Sequence, residues 1–163
     1  MANFWENDPI YKSSTLSKIA GAESDNRNID NLEGTSSATG LYQMTKGTFD
    51  LVKNKYPEFK DVTFEDFKAD PDVQTRMSQK LLEENAKVLR GKGIPETDIN
   101  QYSMWFSGNT KLASAPRDAK AEDFLTTDQV KANKFVKGKT VGELRDYFES
   151  KLNTEEIPLG YSE

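Results

Sequence analysis

The side chains with the widest chemical reach are missing from this sequence. Its 163 residues include no Cys and no His, so it offers no thiolate nucleophile, no imidazole base, no Ser-His-Asp triad and no Cys-ligated zinc. Proton transfer is left to carboxylates, and one of them is oddly placed. Glu23 ends the run Ile19-Ala20-Gly21-Ala22-Glu23, an acid at the carboxyl end of a helical pattern. There it meets the negative end of the macrodipole, an unfavourable term of up to roughly 1 kcal/mol that raises its pKa. Exclusion of water pushes the same way, and a Glu that keeps its proton near neutral pH is what a general acid requires. Taken alone, a Glu in a last helical turn is more often a solvated surface group, so its company decides.

That company has to be positioned by helices. Strict two-residue alternation is scarce, whereas apolar residues three and four apart recur, which predicts a mainly α fold. The first helix starts at Ser13-Ser14-Thr15, carries Leu16, Ile19, Ala20 and Glu23, and ends near Ser24. From Asp25 to Thr39 the chain is rich in Asn, Asp, Ser, Thr and Gly, a loop or at most a short β-hairpin. Thr45 caps a helix bearing Phe49, Val52 and Tyr56 that Pro57 stops. After a short turn around Phe64 and Phe67, Asp70-Pro71 is a strong start signal for a helix with the stripe Val73, Met77, Leu81, Val88 and Leu89, ended by Gly91 and Gly93. The next runs from about Thr97 to Gly108 and, being poor in charge, reads as a central core helix. Weaker segments follow near Leu112, at Ala121 to Leu125 and at Thr127 to Asn133. The last helix runs from Thr140 to Leu152, where Thr140 and Glu143 form a capping box.

The length holds one domain with one real core, divided here into an extension at 1–12, a folded domain at 13–153 and a tail at 154–163. The segment Leu159 to Glu163 reads as loosely structured. With 22 basic and 27 acidic residues the net charge is −5, so no overall field draws nucleic acid or an anionic membrane to it. No stretch approaches the ~20 apolar residues of a membrane span. The amino terminus lacks the basic and apolar regions of a secretory signal and reads as unprocessed.

About 17 residues beyond Glu23 lies Gly40-Leu41-Tyr42-Gln43-Met44-Thr45. The order Glu23-Ser24, polar loop, Ser36-Ser37-Ala38-Thr39-Gly40-Leu41-Tyr42-Gln43-Met44-Thr45 and then Thr48-Phe49 resembles the soluble lytic transglycosylases, a branch of the goose-type lysozyme fold. Weaker similarity extends over about Leu16 to Leu152. Two departures stand out. Ser37 replaces a family glycine, and in Met104-Trp105-Phe106-Ser107-Gly108-Asn109 the usual polar residue has become Trp105 or Phe106, with Ser107 or Asn109 as substitutes.

The resemblance implies cleavage of the β-1,4 bond between N-acetylmuramic acid and N-acetylglucosamine in bacterial peptidoglycan, without metal or cofactor. Glu23 would be the single catalytic acid, protonating the glycosidic oxygen and then, as carboxylate, taking the proton of the muramyl C6 hydroxyl as it closes a 1,6-anhydro ring. Ser24 would steady Glu23, and Gly40, Tyr42, Gln43 and Met44 would line the glycan groove. Gly40 reads equally as a turn glycine, and Leu41 and in part Met44 as core. Trp105 would stack on a sugar or pack in the core. A supporting tyrosine would be Tyr102 or Tyr147. A hydrolytic muramidase, with Asp25, Asp30 or Glu33 placing a water, is the nearest rival, and a non-catalytic glycan-binding module is the rival of another class. Peptidoglycan lies outside the cytoplasmic membrane, so the expected setting is a bacteriophage particle, with peptidoglycan strands and other virion proteins as partners.

Overall fold

The computed structural model describes residues 9–30 and 36–153. The first eight residues of the expected extension and the whole expected tail, with Leu159 to Glu163, lie outside the described residues. The described chain is mainly helical: α1 (Ser14–Ser24), α2 (Lys46–Lys55), α3 (Phe64–Ala69), α4 (Pro71–Gly91), α5 (Asp98–Ser107), α6 (Lys111–Ser114), α7 (Thr127–Ala132) and α8 (Val141–Leu152). Short 3-10 turns cover Pro57–Phe59, Ala121–Phe124 and Lys134–Val136.

Local chemistry sets these boundaries. Each of these helices except α6 begins on a Ser, Thr or Asp whose side chain accepts a backbone N–H from the first turn: Ser13, Thr45, Thr63, Asp70, Thr97, Thr126 and Thr140. Thr63, Thr126 and Thr140 close full capping boxes with Asp66, Gln129 and Glu143. The expected turn at Phe64 and Phe67 is therefore a helix. Its box gives it a start, and Asp70-Pro71 then begins α4 directly.

Two apolar clusters form. The larger joins Leu16, Ile19 and Ala20 of α1 to Tyr102 of α5 and to Val141, Leu144, Phe148 and Leu152 of α8. The smaller joins Met44, Phe49 and Val52 to Phe59, Val62, Phe67, Val73 and Met77. Trp105 packs against both. Helix α5 runs through the centre as expected, touching α1, α4, α6 and α8. One stripe residue is corrected: Val88 is 42% exposed while Leu82 is buried, because α4 turns its 74, 78, 82 face inward.

That face carries the least expected core residue. Gln74 is fully buried. Its Oε1 accepts the Leu41 N–H at 3.0 Å, and its Nε2 donates to the Phe67 carbonyl at 2.8 Å and to Asn28 Oδ1 at 3.0 Å. One amide thus ties α4 to α3, to the polar loop and to the segment before α2. Among the described residues no helix is long and apolar enough to cross a membrane.

Replacing Gln74 with Leu keeps the volume, orphans the Leu41 N–H, and takes from the Phe67 carbonyl the shorter of its two bonds, leaving it the Asp70 N–H at 3.3 Å. The expected loss is about 3 kcal/mol. For a chain of this size that lowers the thermal midpoint by roughly 6–12 °C in a circular-dichroism melt.

Candidate active site

Glu23 lies one residue from the end of α1, where the backbone leaves the helix under strain. Asp25 (φ 56°) and Asn26 (φ 58°) both take the left-handed region, unusual for side-chain-bearing residues and costing of order 1 kcal/mol each. Their N–H groups return to Gly21 O and Ala20 O, so the turn stays closed although neither residue is glycine. The chain then runs back along itself: Asp30 bridges Thr39, and Thr39 pairs with Met44 through two 3.1 Å backbone bonds. The segment expected to be a loop, or at most a short β-hairpin, carries isolated bridges among its described residues.

The Thr39–Met44 pair encloses the turn Gly40 to Gln43. Gly40 sits at φ 82°, and a Cβ there would lie 2.4 Å from Gln74 Oε1. It is a structural glycine. Gln43 is also left-handed (φ 50°), held by its own Nε2, which donates to Ile29 O at 3.0 Å and Gly40 O at 2.9 Å. Ser24 supplies the join to α1: its Oγ donates to Leu41 O at 2.7 Å. Ser24 thus acts on Glu23 indirectly, by fixing the turn to the helix end.

Between the two apolar clusters opens a cleft of about 540 Å³, onto which Glu23, Gln43, Met44, Tyr102 and Trp105 all face. Thr48, Leu51, Leu81 and Asn85 come from α2 and α4, while Phe106, Asn133, Phe135 and Lys151 come from the carboxyl half. Glu23 keeps some surface on this cleft, yet protein encloses its carboxyl group. Burial raises its pKa above the ordinary 4.5, against the opposing pull of a hydrogen bond from Tyr102 and of the Lys151 charge. Desolvation, more than the helix dipole, is the source of the shift. Tyr102 is itself pushed well above its ordinary pKa, first by burial and then by Glu23, so its hydroxyl stays a donor.

Between the two candidate tyrosines, Tyr102 is the one bonded to Glu23. Tyr147 packs at a tilt against Phe135 with ring centroids 4.9 Å apart, lies under the Lys151 ammonium at 5.5 Å, and does not line the cleft. Tyr42 is corrected as well. It is 1% exposed and its hydroxyl pairs with Thr75 Oγ1 at 2.8 Å, so it is a core residue fixed by α4. Asn109 turns away too, accepting the Lys111 N–H at the start of α6. Trp105 is both expected things at once, packed on the two clusters and facing the cleft, with its Nε1 donating to Tyr42 O at 3.2 Å. Ser37, where the resemblance leads one to expect a glycine, accepts the first N–H of α2 at 2.9 Å.

Glu23 is the one carboxylate among the described residues that line the cleft. Asp25 and Asp30 stand outside it, Asp30 accepting from Thr39 Oγ1 at 2.8 Å, and Glu33 lies outside the described residues. Among the described residues no group of three or more His, Cys, Asp or Glu could hold a metal ion. No family profile and no curated protein sequence matches this chain.

Sequence reasoning missed Gln74 and Lys151. The signal for Gln74 was its spacing with Ser78 and Leu82, a polar residue in line with an inward face. For Lys151 it was the four-residue step from Tyr147 on the helix expected to close the domain.

The raised Glu23 pKa makes stability depend on pH. Between 4.5, its ordinary value, and its higher folded value the native state binds more protons than the unfolded chain. Stability therefore falls as pH rises through that window. Glu23→Gln removes this loss. The melting temperature of the variant should match the parent near pH ~4 and exceed it increasingly toward pH ~7. A difference that stays flat with pH would mean that the carboxyl is solvated.

Proposed function

We propose that this domain is a peptidoglycan lytic transglycosylase of the goose-type lysozyme-like fold, with Glu23 as its acid and base. The observation that carries the reading is a desolvated carboxyl group, hydrogen-bonded to Tyr102, that is the only acid among the described residues facing a 540 Å³ cleft. Hydrolases of either stereochemistry place two carboxylates about the scissile bond. A single one suffices when the substrate supplies its own nucleophile.

Glu23, protonated, donates to the glycosidic oxygen as the bond to the muramyl C1 breaks. The proton leaves with the N-acetylglucosamine hydroxyl. The carboxylate so formed takes the proton of the muramyl C6 hydroxyl, O6 bonds to C1, and the 1,6-anhydro ring closes with no water consumed. Tyr102 holds the carboxyl in place through both steps. The Lys151 charge favours the carboxylate form and so limits how far desolvation raises the pKa. Met104, Trp105, Phe106 and Phe135 offer apolar faces to sugar rings, and Gln43, Asn85 and Asn133 offer amides. The setting that goes with this reading is a bacteriophage particle opening the wall at genome entry, checked by mass spectrometry of purified particles.

Purified sacculi digested with the parent protein should release muropeptides with anhydro ends, lighter by one water than reducing ends. Glu23→Gln should cut release by roughly 100-fold or more, the scale of losing a general acid. Release by the parent should fall as pH rises through the raised Glu23 pKa. Reducing ends in place of anhydro ends would assign hydrolysis, and no release at all would leave a binding module.

A further inference from the structure

Asn133 reaches the cleft from the junction of α7 with the Lys134–Val136 turn, and most of its polar groups are engaged there. Its N–H donates to Val130 O at 3.2 Å, and its carbonyl accepts the Val136 N–H at 2.9 Å. Its Nδ2 donates to the Gln129 carbonyl at 2.8 Å. A carbonyl can be met only by the nitrogen of a side-chain amide, so this bond decides which way round the amide sits. The Oδ1 is left over. No described residue donates to it, and it stays reachable by solvent. Closing the end of α7 uses the Asn133 nitrogen and has no need of the oxygen.

Gln129 sets where that oxygen stands. Its Oε1 accepts the Thr126 N–H at 2.9 Å and completes the capping box of α7, while its Nε2 donates to the Ser107 carbonyl at 2.8 Å. Ser107 ends α5, the helix that brings Tyr102, Met104, Trp105 and Phe106 to the cleft. One residue thus starts α7, fastens it to the end of α5 and holds the Asn133 amide with its backbone carbonyl. Asn85 lines the cleft with no side-chain hydrogen bond among the described residues. Its side chain has to be ordered when a ligand binds, a cost that the restrained Asn133 amide has already met in folding.

We infer that Asn133 is a substrate-binding residue whose side-chain oxygen accepts a hydrogen bond from an N–H or O–H of the bound glycan, and that Gln129 is the residue that positions it. This rests on the glycan reading of the cleft. The donor has two sources in peptidoglycan: the sugars, through their acetamido N–H and hydroxyl groups, and the amide N–H groups of the peptide stems.

The test uses the full chain in the non-cleaving Glu23→Gln background, carrying Asn133→Ala, Gln129→Glu or both. Binding is measured to intact sacculi and to glycan strands stripped of stems by an amidase, at a temperature well below the melting temperature of each variant. Asn133→Ala should weaken binding to sacculi by roughly fivefold, the scale of one hydrogen bond. A matching loss on stripped strands assigns the donor to the sugar, and a loss confined to sacculi assigns it to the stem. Gln129→Glu keeps an oxygen for the Thr126 N–H and cannot donate to Ser107, so it should weaken binding by a smaller factor. The double variant should bind no more weakly than Asn133→Ala, because Gln129 acts through Asn133. Losses that multiply would take the positioning role from Gln129. Binding by Asn133→Ala within about twofold of the Glu23→Gln parent, less than one hydrogen bond is worth, would make Asn133 a helix cap only and overturns the inference. With Glu23 restored, Asn133→Ala should raise KM for sacculi and leave kcat near its plateau. If the parent releases no muropeptides the cleavage reading fails, and the binding ratios still decide the role of Asn133. Absence of binding to both glycans overturns the two together.

Discussion

The backbone of one residue, Leu41, holds the site together. The Leu41 carbonyl accepts from Ser24 at the end of α1, and the Leu41 N–H donates to the buried amide of Gln74 in α4. Both partners are buried, so water cannot replace either bond without opening the fold, and leaving either group unpaired there costs on the order of 1–3 kcal/mol. The clamp sets the distance between the helix that carries Glu23 and the turn that carries Gln43 and Met44. Tyr42 adds to it by packing in the same buried cluster as Leu16, Ile19 and Ala20 of α1. The strained residues gather at the same place: Asp25, Asn26 and Gln43 are the side-chain-bearing residues with positive φ among those described. Such conformations persist only where the surroundings over-determine them, and here the clamp, the Thr39–Met44 pair and the Gln43 side chain do so.

The two apolar clusters give this frame its chemical value. Each is a separate packed body, and the cleft is the seam between them, spanned by Trp105. A carboxylate on an open surface would titrate as a carboxylate. In a seam lined by Met104, Trp105, Phe106 and Phe135 together with polar side chains, and with its carboxyl group enclosed by protein, it loses water on most sides, and the neutral form gains. Tyr102 from the central helix then fixes its direction. The acid, the residue that orients it and the Lys151 charge that acts on it come from α1, α5 and α8, three helices that pack on one another in the larger cluster.

Local signals were legible in the sequence because they act over three or four residues. Ser13, Thr45, Asp70-Pro71 and the Thr140–Glu143 box start helices where they were expected to. The Thr63–Asp66 box is as local, but the helix it starts has six residues, too few to show an apolar period. Glu23 and Gln43 facing one cleft was legible through spacing and resemblance together. Side-chain direction within the Gly40 to Met44 turn was not. Tyr42 points inward because Thr75, more than thirty residues away, offers its hydroxyl a partner, and neighbouring sequence carries no trace of that. Gln74 was hidden for a similar reason, since a glutamine on a long helix reads as solvated until three separate segments are seen to converge on it. The choice between Tyr102 and Tyr147 needed the packing of α5 against α8, where Tyr102 and Phe148 meet edge to face at 4.9 Å.

Trp105 gives the seam an optical property. The chain has two tryptophans, and the other is Trp5 in the amino-terminal extension. With Trp5 exchanged for Phe, a single indole would remain, on the wall of the cleft, with its N–H fixed to the Tyr42 carbonyl and its side chain packed against both clusters. Its emission would then register whatever enters the seam and any parting of the two halves, an intrinsic fluorophore that needs no added label.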